Sequence, residues 1–266
     1  MVSIRRLHPD FEYRFFDDHQ VNAFIRSEFP EYLDVFDRFA FRIQKYDFFR
    51  YLAVYRLGGF YFDLDVFFAC SLDELPLATC IFPFEELTVS RYLRRHGIDW
   101  EIGNYAFGAV AGHPFLHAVI ENCVRAQREP AWVEPMMQHI PRLFRSEFYV
   151  LNRTGPGLIS RTLVENPDLA KDVNILFPDD VCDEQTWHQF GNFGVHLQEG
   201  SWRAKNGYVR RRLANLWEAR ARRRLHRESR GLGKSRQVPG AVVSCQSPVA
   251  TSRVYAPNSL SPNPES

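Results

Sequence analysis

The spacing of apolar residues predicts one clear helix and one clear strand in the first quarter of the chain. Between residues 36 and 57, apolar side chains recur every three or four positions, which is typical of a helix that buries one face. Gly58 and Gly59 follow directly, and glycine is the residue that most often ends a helix. The next segment, FYFDLDVFFA at residues 60–69, is rich in aromatic residues and is predicted to be a strand.

Helical and strand-like patterns alternate along most of the chain. We predict a short strand within residues 9–18 and a helix over residues 17–36, with Asp17 or Asp18 as its N-cap. Further helices are predicted at 114–127, 131–149, 154–166 and 203–230, and further strands at 80–84, 105–112, 172–178 and 194–202. Alternation of this kind is typical of the α/β class with a mainly parallel sheet.

The composition indicates a folded protein of one or two domains. Its 266 residues are 45% apolar and 15% aromatic, which is enough apolar surface for a large core and excludes wholesale disorder. No long apolar run predicts a membrane-spanning helix, and the first residues lack the apolar stretch of a secretory signal. The five cysteines form no CxxC pair, so we expect reduced thiols in a cytosolic protein.

Charge is distributed unevenly and divides the chain into three parts. Residues 1–202 contain 19 basic and 29 acidic residues, whereas residues 203–230 contain 11 basic and 2 acidic residues. Residues 231–266 mix serine, proline, glycine and valine without periodicity. We therefore expect an α/β domain over residues 1–202, a basic helical arm over residues 203–230 and a disordered tail over residues 231–266.

Two carboxylates interrupt the apolar strand predicted at residues 60–69. Because side chains alternate along a strand, Tyr61, Asp63 and Asp65 are expected on one face. The opposite face is uniformly apolar and is expected to pack on the core; it comprises Phe60, Phe62, Leu64 and Val66. Adjacent carboxylates repel each other unless a cation lies between them, and oxygen ligands suit Mg²⁺ or Mn²⁺. A solvated end of the strand is the alternative.

The preceding helix carries a second charged pair. Asp47 and Arg50 are three residues apart and share one face of the helix. Because this helix must pack on the sheet, the two charges need partners, which are either each other or a ligand. From the residues alone, a structural salt bridge and a ligand-binding pair are both open.

Together these residues resemble the DXD block of glycosyltransferase family 32, a group that includes yeast initiating mannosyltransferases and bacterial polysaccharide enzymes. The family pattern is an aspartate, an arginine three residues later, a tyrosine on the strand after two glycines, and then Asp-x-Asp. Its places are filled here by Asp47, Arg50, Gly58, Gly59, Tyr61, Asp63 and Asp65. The resemblance covers roughly residues 8–204. It implies a GT-A-type fold and retaining transfer of a hexose from a nucleotide diphosphate sugar to a hydroxyl of a glycan or glycolipid.

The resemblance also implies roles for individual residues. Asp63, Asp65 and His196 would bind a Mn²⁺ or Mg²⁺ ion, and the two aspartates would be the catalytic residues. The implied substrate-binding residues are Asp47, Arg50, Tyr61, Asn104, Ser201 and Trp202. The turn TGPG at residues 154–157 resembles a family turn that allows close approach of the backbone.

Two other interpretations remain open. The family's usual first strand, of the type Ile-Pro-Lys-Ile-Ile-His-Gln-x-Trp, is not found in this sequence, which favours a truncated, non-catalytic remnant as one alternative. A haloacid-dehalogenase-type phosphatase is the other, with Asp63 as nucleophile and Asp65 as general acid. Lys171 and the pair Asp179–Asp180 would then belong to its later motifs. Against it, Phe67 stands where that class has threonine or valine.

The basic arm predicts a partner in addition to the nucleotide-sugar donor and a glycan or lipid-linked acceptor. Arginines and leucines within residues 203–230 favour contact with an anionic membrane surface, and a solvated helix on the acidic body is the alternative. The acidic body argues against binding of nucleic acid. We therefore expect a cytoplasmic protein that attaches peripherally to a membrane. Glu85 and Glu86 follow a predicted strand, and a surface charge pair is favoured over the alternative that they approach the acceptor.

Overall fold

The structure, a computed structural model, describes residues 2–75, 78–197 and 208–231. The α-helices in these ranges are α1 (Val2–Leu7), α2 (Asp18–Glu28), α3 (Leu33–Arg38), α4 (Arg42–Leu57), α5 (Arg91–Arg95), α6 (Pro114–Arg128), α7 (Glu134–Met137), α8 (Arg145–Arg153), α9 (Pro156–Glu165), α10 (Pro167–Ala170) and α11 (Tyr208–Gly231). The strands are β1 (Gly59–Phe62), β2 (Val66–Phe68), β3 (Cys80–Leu87), β4 (Trp100–Ile102), β5 (Ala106–Ala109), β6 (Val173–Leu176), β7 (Gln189–Phe190) and β8 (Gly194–His196).

The larger sheet is built around the long strand β3. The first half of β3 lies between β5 and β6, its second half pairs with β4, and β1 extends the sheet beyond β5. Among these pairs only β3–β6 is parallel. The α/β class is therefore as predicted, but the mainly parallel sheet is confirmed for one pair only. The short links between β3, β4 and β5 favour antiparallel neighbours, whereas the helices α6 to α10 form the long crossover that a parallel pair requires.

A smaller antiparallel sheet has the order β2-β8-β7. In this sheet Val66 lies opposite His196, although the two residues are far apart in sequence. The pairing brings the end of β8 to the residues that directly precede β2. It therefore explains how His196 reaches the Asp-x-Asp segment.

The core fills the space between the larger sheet and the helices on its face. The rings of Phe82 on β3 and Phe107 on β5 stack with centroids 5.0 Å apart, and Phe115 on α6 meets Phe82 edge to face. Helix α4 packs in the same cluster through Phe48 and Leu52, which are fully buried. This packing fixes α4 against the sheet, so that its polar side chains are held in defined positions.

Two of the predicted elements are divided in the structure. The helix predicted over residues 36–57 is interrupted after Arg38, where Phe39 adopts an extended conformation and packs its ring on Phe48. The strand predicted at residues 60–69 is interrupted between β1 and β2 by a turn. Residues 9–17 form no strand, although Asp17 is the N-cap of α2, as predicted.

The predicted apolar face of residues 60–66 is buried only in part. Val66 is buried and Phe62 is half-buried, as expected. Leu64 is 62% exposed and Phe60 is 40% exposed, so the expectation is wrong for these two residues. For Leu64 the turn between the strands is the reason, because it ends the alternation of side chains after Phe62.

Helix α11 confirms a helix within the basic arm and packs on the domain through one face. The Trp217 ring meets the Phe144 ring at 5.8 Å, and Arg222 forms ion pairs with Glu86 and Glu218. Glu86 is therefore an anchoring point for α11 and not part of a surface charge pair. No helix in the described part of the chain is both long and apolar enough to span a bilayer.

Candidate active site

The Asp-x-Asp segment lies in a turn that three backbone hydrogen bonds hold in place. The amide of Val66 donates to the carbonyl of Asp63 at 3.1 Å, which closes the turn. The amide of Asp63 donates to the carbonyl of Tyr105 at 2.7 Å, and the amide of Leu197 donates to the carbonyl of Asp65 at 3.0 Å. The two carboxylates are close together because of this turn. The expected closeness of the two carboxylates is confirmed, but a turn and not the alternation of a strand is its cause.

The turn brings the two aspartates next to the end of β8. Asp63, Asp65 and His196 each offer one ligand atom, and these atoms lie within 4.8 Å of one another. His196 Nε2 is 3.2 Å from Asp65 Oδ1. All three side chains are partly exposed, so an ion can reach them from the solvent. Two carboxylate oxygens and one imidazole nitrogen suit Mn²⁺ well and Mg²⁺ less well, because Mg²⁺ prefers oxygen ligands.

Arg50 links the two charged groups that the sequence predicts separately. Its guanidinium lies 3.1 Å from Asp47 Oδ1 and 3.3 Å from Asp63 Oδ1, and the group is only 3% exposed. Tyr61 donates its hydroxyl to Asp63 Oδ1 at 2.6 Å, and its ring lies under the guanidinium, 4.6 Å from the ring centroid. The helix α4 and the acidic turn therefore form one connected site.

Asp47 is the most deeply buried acidic group of the site. It is 4% exposed and accepts hydrogen bonds from Thr154 Oγ1 at 2.8 Å and from Asn104 Nδ2 at 3.1 Å. Burial raises the pKa of Asp47 to about 6, although the neighbouring Arg50 acts in the opposite direction. The carboxylate is therefore ionised at pH 8 and can gain a proton in mildly acidic solution.

Sequence reasoning missed several residues that support this network. Thr154 holds Asp47, and Tyr51 donates its hydroxyl to the carbonyl of Thr154 at 2.6 Å. The Tyr105 ring stacks on the His196 ring with centroids 4.5 Å apart. Thr154 is the first residue of the TGPG turn, in which the sequence points only to the glycines. That turn was the one available signal for Thr154.

The predicted site residues line one cleft. The cleft has a volume of about 2140 Å³ and runs along α4, the acidic turn and the N-terminal segment. Its wall includes Asp47, Arg50, Tyr61, Asp63, Asp65, Asn104 and His196, together with Gly155 of the TGPG turn. The predicted donor-binding residues Ser201 and Trp202 lie outside the described residues.

Glu85 also faces this cleft, contrary to the expectation of a surface charge pair. Its side chain is largely buried, and its Oε1 lies 3.3 Å from Nδ1 of His188. The neighbouring Glu86 binds Arg222 of α11 instead. The two adjacent carboxylates thus have separate partners on different sides of β3, as alternation along a strand requires.

The sequence of residues 1–82 matches the family described as glycosyltransferase sugar-binding region containing DXD motif. The chain is 34% identical over 119 residues to inositol phosphoceramide mannosyltransferase 3 of Schizosaccharomyces pombe, covering 45% of this chain and 30% of that protein. It is 30% identical over 154 residues to mannosyl phosphorylinositol ceramide synthase CSH1 of Saccharomyces cerevisiae, covering 58% of this chain and 34% of that protein. The matched segment thus spans about a third of either yeast relative. No solved structure matches the chain.

The family match favours the transferase interpretation over the phosphatase interpretation. The phosphatase would need Lys171 as a partner of the reacting aspartates. Lys171 instead forms an exposed ion pair with Asp168, at 2.7 Å, on the turn after α10. The phosphatase interpretation also gives no role to the contact between Arg50 and Asp63.

Proposed function

We propose that the chain transfers a hexose from a nucleotide diphosphate sugar to a hydroxyl of a glycan or glycolipid, because residues 1–82 match the glycosyltransferase family with a DXD-containing sugar-binding region. The resemblance to glycosyltransferase family 32 is confirmed by this match and by the yeast relatives. A GT-A-type fold and retention of the anomeric configuration are part of the proposal and rest on that family.

The observation that carries the proposal is the convergence of Asp63, Asp65 and His196 in a cleft. These residues would hold a Mn²⁺ or Mg²⁺ ion, which neutralises the negative charge of the departing diphosphate. The ligand atoms come from two chain segments that backbone hydrogen bonds and β2–β8 pairing hold together. Contacts within the chain therefore bring these ligand atoms together, which would lower the cost of orienting the donor.

The group around Arg50 is assigned to the transferred sugar. Arg50 touches Asp63 on one side and Asp47 on the other, so it links the metal-binding turn to the inner wall of the cleft. Asp47, Arg50 and Asn104 would bind sugar hydroxyls, and Tyr61 would hold the carboxylate of Asp63 in place. Contacts of Ser201 and Trp202 with the donor phosphates stay a prediction from the family resemblance.

The names of the relatives suggest the first substrates to test. Two yeast relatives are named for inositol phosphoceramide and mannosyl phosphorylinositol ceramide, which makes mannose the first sugar and a glycolipid the first class of acceptor to examine. GDP-mannose, UDP-glucose, UDP-galactose and UDP-N-acetylhexosamines form a sufficient first panel of donors.

Metal-dependent hydrolysis of one donor tests the proposed activity. Release of the nucleoside diphosphate is measured for each donor with and without Mn²⁺, on the native chain, on Asp65→Asn and on Asp168→Asn. We expect release from one donor, only with metal, which Asp65→Asn abolishes and Asp168→Asn retains. Asp168 is a suitable control because it is an exposed carboxylate paired with Lys171. Equal turnover in Asp65→Asn would refute the role of Asp65 as a metal ligand, and no turnover of any donor would favour the non-catalytic remnant.

The outward face of α11 is proposed to contact an anionic membrane surface. While Trp217 and Arg222 pack on the domain, Leu213 is 46% exposed and Leu216 is 49% exposed. Arg220 and Arg223 are exposed on the same side of the helix, since the four residues fall within one third of its circumference. A basic face that also carries leucines suits the headgroup region of anionic lipids. The cytoplasmic, peripherally attached state expected from the sequence is part of this proposal.

Vesicle binding tests this contact. We expect the native chain to sediment with vesicles that contain phosphatidylglycerol and not with pure phosphatidylcholine vesicles, and binding should weaken as salt rises. The variant Arg220→Glu with Arg223→Glu should lose binding, whereas Arg26→Glu with Arg38→Glu, which changes two exposed arginines elsewhere, should keep it. Equal binding of both variants would refute a role for α11.

A further inference from the structure

A histidine–glutamate pair lies beside the predicted metal-binding histidine. Glu85 is on β3 and His188 directly precedes β7, so the two residues come from separate parts of the chain. Their side chains approach to 3.3 Å between Oε1 and Nδ1, and each is less than one fifth exposed. Neither residue belongs to the predicted site, and the proposed transfer does not use either of them directly.

His188 contacts His196 through both its backbone and its ring. Its carbonyl accepts a hydrogen bond from the amide of His196 at 2.9 Å. The two imidazole rings meet edge to face with centroids 6.4 Å apart. The orientation of His188 therefore affects where the His196 ring can lie.

The backbone of His188 is in an uncommon conformation. Its φ of +59° is in the left-handed region, and no other non-glycine residue in the described ranges has a positive φ. This conformation is unfavourable for a residue with a β-carbon, so a histidine keeps it only where surrounding contacts hold it in place. The contact with Glu85 is one such restraint, because it holds the imidazole ring of His188 at its Nδ1.

One face of the His196 ring is covered by Tyr105, whose ring stacks on it with an angle of 15° between the planes. Gly103 gives Tyr105 and Glu85 room to lie next to each other. A β-carbon on Gly103 would lie 2.6 Å from Glu85 Oε2 and 2.6 Å from Tyr105 Cε1, which is closer than atoms can pack. His196 is thus confined by Tyr105, by His188 and by Asp65, the last at 3.2 Å from Nε2.

We propose that Glu85 and His188 are positioning residues, which hold the His196 ring so that its Nε2 faces the metal site beside Asp65. This inference rests on the proposed function, because it assumes that the ion binds at Asp63, Asp65 and His196. Residues that orient a metal ligand commonly change metal affinity about 10- to 100-fold when they are replaced. If the pair were merely structural, replacing either residue would lower the stability of the chain and leave the metal affinity of the folded protein unchanged.

Mn²⁺ binding to the full chain separates the two roles. Calorimetric titration with Mn²⁺ alone gives the dissociation constant, and urea unfolding without metal gives the stability of each variant. We expect Glu85→Gln and His188→Asn to weaken Mn²⁺ binding about 10- to 100-fold. Glu85→Asp, which keeps the carboxylate, should recover part of the affinity. The matched control is Glu86→Gln, on the same strand but paired with Arg222, and it should bind Mn²⁺ like the native chain.

The possible results distinguish this inference from the proposed function. If the native chain binds no Mn²⁺, the metal site itself is refuted. If the native chain binds Mn²⁺ and Glu85→Gln binds it equally well, only the positioning role is refuted. Failure of both Glu85→Gln and His188→Asn to fold would also overturn it, because the pair would then be structural.

Discussion

The hydrogen bond from Thr154 to Asp47 should contribute measurably to the stability of the chain. Thr154 is fully buried, and its hydroxyl donates to Asp47 Oδ2 at 2.8 Å. Valine has nearly the same shape as threonine but lacks the hydroxyl, so Thr154→Val leaves one oxygen of a buried carboxylate without its donor. A hydrogen bond to a charged group contributes about 1.5–3 kcal/mol. We therefore expect the free energy of unfolding to fall by about 2 kcal/mol at pH 8, which corresponds to a decrease in Tm of roughly 4–8 °C.

Urea unfolding of a double-mutant cycle measures this contribution. Thr154→Val is made in the native chain and in Asp47→Asn, where the acceptor is a neutral amide. Hydrogen bonds between neutral groups are roughly half as strong, so the cost of Thr154→Val should fall to about 1 kcal/mol in Asp47→Asn. Thr154→Ser keeps the hydroxyl and is the control for the change in side-chain volume.

Two results would refute this reasoning. One is a Thr154→Val variant that is as stable as Thr154→Ser, because the hydroxyl would then contribute nothing. The other is an equal cost of Thr154→Val in both backgrounds, because Asp47 would then not act on Thr154 as a charged acceptor.

Three further changes test other parts of the structure. Burial raises the pKa of Asp47 to about 6, so the native chain should lose up to about 3 kcal/mol of its free energy of unfolding as pH rises from 4 through 6. Asp47→Asn should not show this loss. Urea-unfolding free energies that change with pH in the same way in both proteins would contradict this prediction. Arg222→Gln leaves Glu86 without its largely buried partner, so α11 should detach and become more sensitive to trypsin, whereas unchanged protection would contradict anchoring by this ion pair. Gly103→Ala should lower the free energy of unfolding by about 1–3 kcal/mol, because its β-carbon meets Glu85, and a stability equal to that of the native chain would show that Glu85 can move aside.

The residues of the proposed site were predictable where the pattern is local. Asp47 and Arg50 lie three residues apart, and Asp63 and Asp65 lie two residues apart, so short spacing was sufficient to single them out. The structure brings the two pairs together at Arg50, which contacts both Asp47 and Asp63. This link between the two pairs is a tertiary contact, and the local spacing of the residues does not predict it.

Supporting residues were not predictable because their partners are distant in sequence. Thr154 is 107 residues from Asp47, and His188 is on a segment far from Glu85. Threonine, histidine and glutamate are also common in roles without chemistry, so their types alone are weak signals. Glu85 and His188 become neighbours only in the folded chain, where β7 of the smaller sheet packs against β3 of the larger one.

The fold was predictable in class but not in the direction of its strands. Alternating helices and strands indicated the α/β class, yet most neighbours of β3 are antiparallel, since the links from β3 to β5 are short. The acidic turn was also missed, because its apolar residue Leu64 continues the strand pattern on both sides. The two nearby aspartates favour a turn, but the aromatic residues around them favour a strand, and the sequence-based prediction followed the aromatic residues.

The change in Tm with donor and metal tests the central claim most directly. Unfolding is followed with Mn²⁺, with GDP-mannose or another donor, and with both, for the native chain, Asp65→Asn and Asp168→Asn. A ligand at 100 times its dissociation constant stabilises a protein by about 2.7 kcal/mol, which would raise Tm by roughly 5–10 °C. We predict this rise for one donor in the presence of Mn²⁺, its loss in Asp65→Asn and its retention in Asp168→Asn. An equal rise in Asp65→Asn, or no rise with any donor, would contradict the assignment of Asp63, Asp65 and His196 as the metal site of a sugar transferase.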